Sequence, residues 1–246
     1  MNEYINLNID NIENEHLCCA IADKKHQEGV ALKKEWLKNR IAEGHVFRKL
    51  NEQGKVFIEY APLERAWCPI DGNNFMYIYC LWVAGSFKGN GYGKELLEYA
   101  IEDSKKQNKS GICTISSKKK KPYLSEKKFF EKYGFKVVDS IGEYELLSLN
   151  FGDETPKFRE TVRKMEIENK DLTIYYTPQC PFTNNCIKEV KEYAEENDIK
   201  INIEKIDSLE KAKNVPCIFN NWAIFYKGEF ISNTILNSNS FEKLIK

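Results

Sequence analysis

Lys88-Gly89-Asn90-Gly91-Tyr92-Gly93 is a run whose residue types and spacing suit anion binding. It follows an apolar stretch, Phe75 to Val83, that reads as a buried strand. After it, Leu96, Leu97, Ala100 and Ile101 recur at helical spacing. Glycine lets a ligand approach the main chain closely. The unpaired N–H groups at a helix start then face an anion, and the helix dipole favours negative charge. This turn is a candidate pyrophosphate cradle, with Lys88 and Lys94 adding positive charge. A second chemistry-bearing group is Cys180, in Tyr176-Thr177-Pro178-Gln179-Cys180-Pro181-Phe182-Thr183. It stands just before a helical pattern, where the dipole favours thiolate over thiol.

The elements around these groups follow from periodicity. Tyr4 to Ile9 reads as a strand, and helical pattern runs from His16 to Ala42 with a break near Gly29. Val46–Leu50 and 55–60 form a hairpin. The buried strand, the cradle and its helix come next, then a strand at Gly111–Ser117 and a helix ending at Gly134. Strands at 135–139 and 144–149 close this part. Residues 151–170 carry Gly152, Pro156 and many charges and read as a linker. The alternation then restarts: Leu172–Tyr176, a helix over Phe182–Glu196, 199–206, a short helix near Leu209, 223–226, Glu229–Ser232, and a last helix around Phe241. The expected division is 1–150, a linker 151–170, and 171–246.

Two nucleotide motifs are excluded. No Lys-Ser/Thr pair stands in P-loop spacing. A dinucleotide fingerprint needs a βαβ unit near the start of its domain and a later acidic ribose partner, and neither is present. The arrangement instead resembles the acetyl-CoA site of the GNAT N-acetyltransferase superfamily, whose signature is Arg/Gln-x-x-Gly-x-Gly/Ala. Lys88 to Gly93 matches it, with Lys in the first position. Phe129-Phe130-Glu131-Lys132-Tyr133-Gly134-Phe135 is similar to the helix-ending Tyr-Glu-Lys-x-Gly-Phe element of that family. The resemblance implies an α/β (α+β) fold with a mixed central sheet and flanking helices, and acetyl-CoA as co-substrate. Main-chain groups of Leu81, Trp82 and Val83 would meet the pantetheine arm and acyl carbonyl. The cofactor-binding set is then Leu81, Trp82, Val83, Lys88, Gly89, Asn90, Gly91, Tyr92, Gly93 and Lys94.

Direct attack by the acceptor amine within a ternary complex is the family's chemistry. It asks for positioning, an oxyanion donor, a base and an acid. The usual strand carboxylate is missing from Tyr77-Ile78-Tyr79-Cys80, and the usual acid position holds Phe130. Tyr123 and Tyr133 stand nearby as acids. Glu59, Glu64 and Asp71 are candidate bases acting through water, and 60–67 is an aromatic candidate lining for the acceptor pocket.

The segment after 171 is similar to a thioredoxin core. The turn at Cys180 resembles the glutaredoxin active site, and Pro216 stands where that fold carries a cis-proline. A GNAT domain with such a module looks like the acetyltransferases with a YoaP-like C-terminal domain. Thr183 replaces the second active-site cysteine, so Cys186 or Cys217 would have to resolve a disulfide. A degenerate module that binds substrate or supports a homodimer stays open, as does a thiol cluster of Cys180, Cys186 and Cys217 holding metal.

Composition bounds the rest. Lys plus Arg number 37 and Asp plus Glu number 37, so no bias toward nucleic acid or membrane exists. No apolar run is long enough to span a bilayer, and Met1-Asn2-Glu3-Tyr4 is no signal start. The expectation is a cytoplasmic enzyme. Eight cysteines then mean buried thiols, redox chemistry or metal, and Cys18, Cys19 and Cys113, among apolar residues, read as buried inert thiols. No Cys-x-x-Cys or His-x-x-x-His pair signals structural zinc. The reading is an N-acetyltransferase acting on a small-molecule or peptide amine. The rivals are a thiol-disulfide or thiol-binding protein that merely binds CoA, and a non-catalytic acyl-CoA sensor.

Overall fold

The structure, a computed structural model, describes residues 2–21, 23–236 and 241. In chain order its strands and α-helices are β1 (Tyr4–Asn6), α1 (Gln27–Ile41), β2 (Val46–Leu50), β3 (Val56–Pro62), β4 (Ile70–Asp71), β5 (Phe75–Val83), α2 (Tyr92–Lys106), β6 (Gly111–Ser117), α3 (Lys127–Glu131), β7 (Lys136–Ile141), β8 (Tyr144–Asn150) and β9 (Lys157–Phe158). Then come β10 (Leu172–Tyr176), α4 (Phe182–Glu196), β11 (Ile201–Lys205), α5 (Leu209–Asn214), β12 (Trp222–Tyr226) and β13 (Glu229–Ser232).

Two compact units result. One holds the described residues of Met1–Ile21, Lys34–Ala66 and Ile70–Phe158; the other holds those of Ala22–Lys33, Trp67–Pro69 and Arg159–Lys246. This differs from the division expected at 150 and 170. The expected linker is structured: Phe158 pairs with Ile70, and Ile167 N–H donates to the Gly228 carbonyl at 2.8 Å.

The first unit is built on a seven-stranded sheet in the order β1-β2-β3-β5-β6-β8-β7. Its neighbours are antiparallel except for β5 and β6, which are parallel. One face carries Val56, Ile58, Tyr60, Met76 and Ile78 against Leu96, Leu97, Ala100 and Ile101 of α2. Those helix residues are spaced one, four and five apart, so a single stripe of α2 is buried. The opposite face is aromatic: Phe47 and Phe57 stack at 4.8 Å, and Trp36 and Tyr79 meet edge to face.

Polar contacts tie α2 to the sheet. The Tyr4 hydroxyl donates to Glu95 at 2.6 Å, and the Arg48 guanidinium lies 3.7 Å from the centre of the Tyr99 ring. Tyr60 is fully buried and donates to Asp103 at 2.7 Å. Its hydroxyl pKa is raised, first by burial and then by Asp103.

The second unit has a four-stranded sheet ordered β11-β10-β12-β13. The β10–β11 pair is parallel and bridged by α4; β12 and β13 add antiparallel. Ile187, Val190 and Cys186 of α4 pack on Ile174, Trp222 and Ile224. This is the strand and helix order expected from the sequence. Phe241 is buried in that core; the rest of the expected last helix lies outside the described residues.

Two local expectations are corrected. Gly29 does not break the helix but sits inside α1, where a Cβ would run into the Pro181 carbonyl. Pro216 is preceded by a trans bond, since no cis peptide occurs among the described residues.

Tyr60→Phe removes the donor from a charge-assisted bond at the α2–sheet junction. Loss of about 1.5–3 kcal/mol is expected, read as a lower urea midpoint with unchanged slope.

Candidate active site

Strand β5 decides where the site opens. It pairs with β6 only from Phe75–Gly111 to Tyr77–Cys113, and then the two strands part. Strand β6 continues on β8 to Ser117, and β5 continues on β3 to Val83. The Thr114 hydroxyl, donating to the Ile78 carbonyl at 3.0 Å, marks the fork. Beyond it, this edge of β5 has no strand partner among the described residues.

The cradle lies past the end of β5. Gly89 and Gly91 both have φ of +83°, the left-handed region. Gly91 is the residue before α2, with no side chain capping the helix. Lys94 and Glu95 N–H groups donate to the Gly91 carbonyl at 2.9 and 3.1 Å. The amides of Tyr92 and Gly93 precede that first bond, so the turn presents donors. A Cβ at Gly89 or Gly91 would meet nothing within 4 Å, so open space lies above both. Gly93 differs: there a Cβ would lie 3.4 Å from Phe129 and 3.7 Å from Leu81, so it allows close packing of the helix start on β5.

A cleft of about 500 Å³ opens here, lined by Val83, Phe87, Lys88, Gly89, Gly91, Tyr92, Gly93, Lys94, Phe129, Lys132 and Tyr133. Three lysines and no carboxylate stand in that lining, which suits a polyanion. Of the expected cofactor set, Val83, Lys88, Gly89, Gly91, Tyr92, Gly93 and Lys94 are gathered. Leu81 lies beneath Gly93, while Trp82 is opposite Phe57 in register and 49% exposed. The Asn90 amide turns back to donate to the Ser86 carbonyl at 3.1 Å, which shapes the loop. Lys132 was not singled out as a binding residue, although it sits in the quoted motif ending at Phe135.

The expected acids and bases separate. Tyr133 lines the cleft, its ring 5.1 Å from that of Phe129. Phe130 is buried in the core against Phe135, so this departure from the family pattern is a packing residue. Tyr123 stands away from the cleft lining, exposed in the segment between β6 and α3, with φ of +62°. Glu64 is exposed and accepts the Asn74 N–H at 2.6 Å. That is the start of β5, while the cradle is at its end, about 25–30 Å away for nine extended residues. Glu64 therefore caps a turn at the opposite end of β5 from the glycine turn. The lysine run is a solvated surface: Lys120 pairs with Glu126 at 2.8 Å and Lys121 with Glu143 at 3.0 Å.

Glu59 lies on β3, beside β5. It is fully buried, opposite Cys80 in register, and its carboxylate lies 3.0 Å from His45 Nε2.

In the second unit Cys180 is only 8% exposed and belongs to the hydrophobic core. The Thr183 hydroxyl donates to the Cys180 carbonyl at 2.8 Å and to the Thr177 carbonyl at 2.9 Å. Thr183 thus closes the turn where the family pattern has a second thiol. Burial pushes the Cys186 thiol up to about 11, and it pushes Cys217 up as well. No group of three or more His, Cys, Asp or Glu side chains arranged for a metal occurs among the described residues.

Comparison with known proteins fits this geometry. Residues 9–135, just over half of the chain, match the acetyltransferase (GNAT) family. The chain belongs to the GNAT acetyltransferase family. Residues 200–243 match the YoaP-like family. A Bacillus subtilis (strain 168) protein described as "Uncharacterized N-acetyltransferase YoaP" is 43% identical over 245 residues, 98% of each chain. Among solved structures, the PaiA N-acetyltransferase of Thermoplasma acidophilum in complex with coenzyme A is 18% identical, over 61% of this chain and 99% of that one, with a TM-score of 0.45. A GNAT acetyltransferase of Brucella melitensis in complex with acetyl-CoA is 14% identical, over 64% and 94%, with a TM-score of 0.41. No helix among the described residues of this GNAT protein is long and apolar enough to cross a membrane.

The thiols now rank by access. Cys19 and Cys80 are partly exposed, while Cys68, Cys113, Cys180, Cys186 and Cys217 are buried. Brief iodoacetamide treatment near neutral pH is therefore expected to label Cys19 and Cys80 before Cys180, read by peptide mass spectrometry. Labelling of Cys180 first would restore the redox reading of that turn.

Proposed function

We propose that this is a cytoplasmic, acetyl-CoA-dependent N-acetyltransferase that acetylates the amine of a small molecule or peptide by direct attack in a ternary complex. The observation that carries the reading is the lysine-ringed cleft over the open edge of β5. Its glycine turn and the start of α2 offer backbone donors to a pyrophosphate. Lys88, Lys94 and Lys132 balance the negative charge of such a ligand. On the side away from β3, β5 from Cys80 to Val83 is extended backbone with no strand beside it among the described residues, so pantetheine amides can pair there as an added strand would.

Acetyl-CoA supplies the thioester. The protein holds it and the acceptor together, and an N–H of β5 near Leu81 stabilises the oxygen that gains charge. In this reading Tyr133, which lines the cleft, protonates the departing thiolate. The appended YoaP-like unit, with its buried Cys180 and raised thiols, acts in this reading as a structural or substrate-binding module.

Two experiments test the proposal. Gly91→Val puts a branched side chain into a left-handed position at the mouth of the cradle. Acetyl-CoA affinity is expected to fall at least about tenfold by calorimetry, or 1.4 kcal/mol. Unchanged affinity would remove the cradle assignment. Release of CoA is then followed with a panel of amines, amino acids and peptides. Turnover with one class names the acceptor. Tight acetyl-CoA binding with no turnover on any amine would favour the sensor reading instead.

A further inference from the structure

An amine acceptor arrives protonated at neutral pH and attacks only after losing that proton. Strand β5 has no carboxylate of its own. Among the described residues the buried carboxylates are Glu59 and Glu145. Glu145 is held by Lys127 at 2.8 Å, on a strand two places from β5. Glu59 is on β3, the strand next to β5.

Glu59 sits where β5 is irregular. The register reads Glu59–Cys80 and then Tyr60–Ile78, so Tyr79 is an extra residue with no partner on β3. Such a bulge re-aims the side chains beside it. Tyr77 and Tyr79 meet with ring centres 5.0 Å apart, and Tyr79 lies 5.0 Å from the His45 imidazole. Trp36 closes on His45 edge to face at 5.2 Å. His45 Nε2 is 3.0 Å from Glu59 Oε1. With Glu59 as the carboxylate and His45 as the neutral imidazole, Nε2 donates to Oε1 and Nδ1 keeps a lone pair. A carboxylate that orients an imidazole and stabilises its protonated form makes that imidazole a better base.

We propose that His45, oriented by Glu59, takes the proton of the acceptor amine, and that this pair replaces the carboxylate missing from β5. The inference rests on the acetyltransferase reading above. The amine proton passes to a water at the bulge, and a proton of that water passes to His45 Nδ1. The neutral nitrogen bonds to the acyl carbon. The carbon–sulfur bond breaks with its electron pair on sulfur, the thiolate takes a proton from Tyr133, and the second proton that the nitrogen loses as the amide forms returns through solvent to Tyr133. His45 then releases its proton to solvent, so acetyl-CoA and an ammonium give an amide, CoA and one proton. His45 and Glu59 act through that water and are positioning residues. Other charged or titratable groups on this side, among the described residues, include Arg40, paired with Glu43 at 3.0 Å; Lys49, paired with Glu15 at 2.7 Å; and Tyr77, Tyr79 and Cys80.

The test is acetyl transfer to the best amine of the panel, from pH 6 to 10, by wild type, His45→Gln and Glu59→Gln, with calorimetry of acetyl-CoA on each. Both variants are expected to bind acetyl-CoA within twofold of wild type and to lose about 10²-fold or more in kcat at neutral pH. The deficit is expected to shrink as pH approaches the amine's own pKa, because solvent then supplies the neutral nucleophile. A purely structural role predicts a deficit that does not change with pH, and that result would overturn the proposal. So would kcat within threefold of wild type in either variant. If neither variant folds, wild type decides: the chain has three histidines, so the His45 imidazole can be followed by NMR. Its titration must coincide with the acid limb of kcat, and a mismatch of more than one unit rejects the assignment. Wild type that binds acetyl-CoA but acetylates no amine would fail the parent reading and take this inference with it. Transfer by wild type with unaffected variants fails this inference alone.

Discussion

The parting of β5 from β6 after Tyr77–Cys113 is the constraint on which the rest of the first unit depends. Parallel neighbours exchange backbone bonds along their length, and breaking that ladder early leaves polar groups that need other partners. Both strands can part because each is secured on its far side. Strand β5 keeps its antiparallel ladder with β3 from Pro62–Met76 to Val56–Val83. Strand β6 keeps all seven residues on β8. Side chains cover the fork: Thr114 reaches the Ile78 carbonyl, and Ser116 donates to the Ser125 carbonyl at 2.7 Å. The cost of one short ladder is thus offset locally, and an edge of extended backbone is left beside the start of α2.

Much of this was legible in the sequence because the signals are local. The bounds of β5, β6, β10 and α4 agree with the expected ones, since each is a periodic run flanked by glycine, proline or polar residues. The glycine turn was legible for the same reason: Gly89 and Gly91 stand between the end of β5 at Val83 and the start of α2 at Tyr92. What escaped depends on contacts far apart in the chain. Strands β4 and β9 are two residues each and are defined only by pairing with each other. Gly29 is needed for close approach to Pro181, not for a break. Glu64 looked chemically apt, but its place at the wrong end of β5 follows from strand length and register. His45 and Glu59 are 14 residues apart, and only the β2–β3 hairpin and the bulge make them a pair.

The second unit shows how burial overrides a local motif. A helix start lowers a thiol's pKa only where charge can be solvated or paired. Cys180 belongs to the buried cluster of Cys186, Ile187 and Trp222. Desolvation is the largest cause raising Cys186, and the nearby Glu189 acts in the same direction while Lys25 opposes it. Both changes favour the neutral thiol. The Thr183 hydroxyl, with its two carbonyl acceptors, stabilises the turn without any sulfur chemistry. The glutaredoxin-like sequence therefore specifies a backbone turn here, and the residue that would complete a redox pair has become part of that turn.

In the proposed mechanism two electrostatic tasks fall on different surroundings of β5, and the physics favours that separation. A polyanion is best met by exposed lysines and backbone donors, where long-range attraction aids arrival and no desolvation penalty is incurred. Lys88, Lys94 and Lys132 stand around the open cleft at the end of the strand. A proton acceptor works better where water is scarce, because there an ion pair formed during reaction is less screened. His45 and Glu59 are buried on the face opposite α2, among Trp36, Tyr77 and Tyr79. If the acid–base pair stood in the cleft, the lysines would disfavour protonation of the imidazole and hold the carboxylate ionised in competition with the ligand's phosphates. Placing them on separate sides of one strand lets each keep its own dielectric environment. In the proposed mechanism β5 is the strand the two environments share, with the irregularity at Tyr79 on the side of His45 and Glu59.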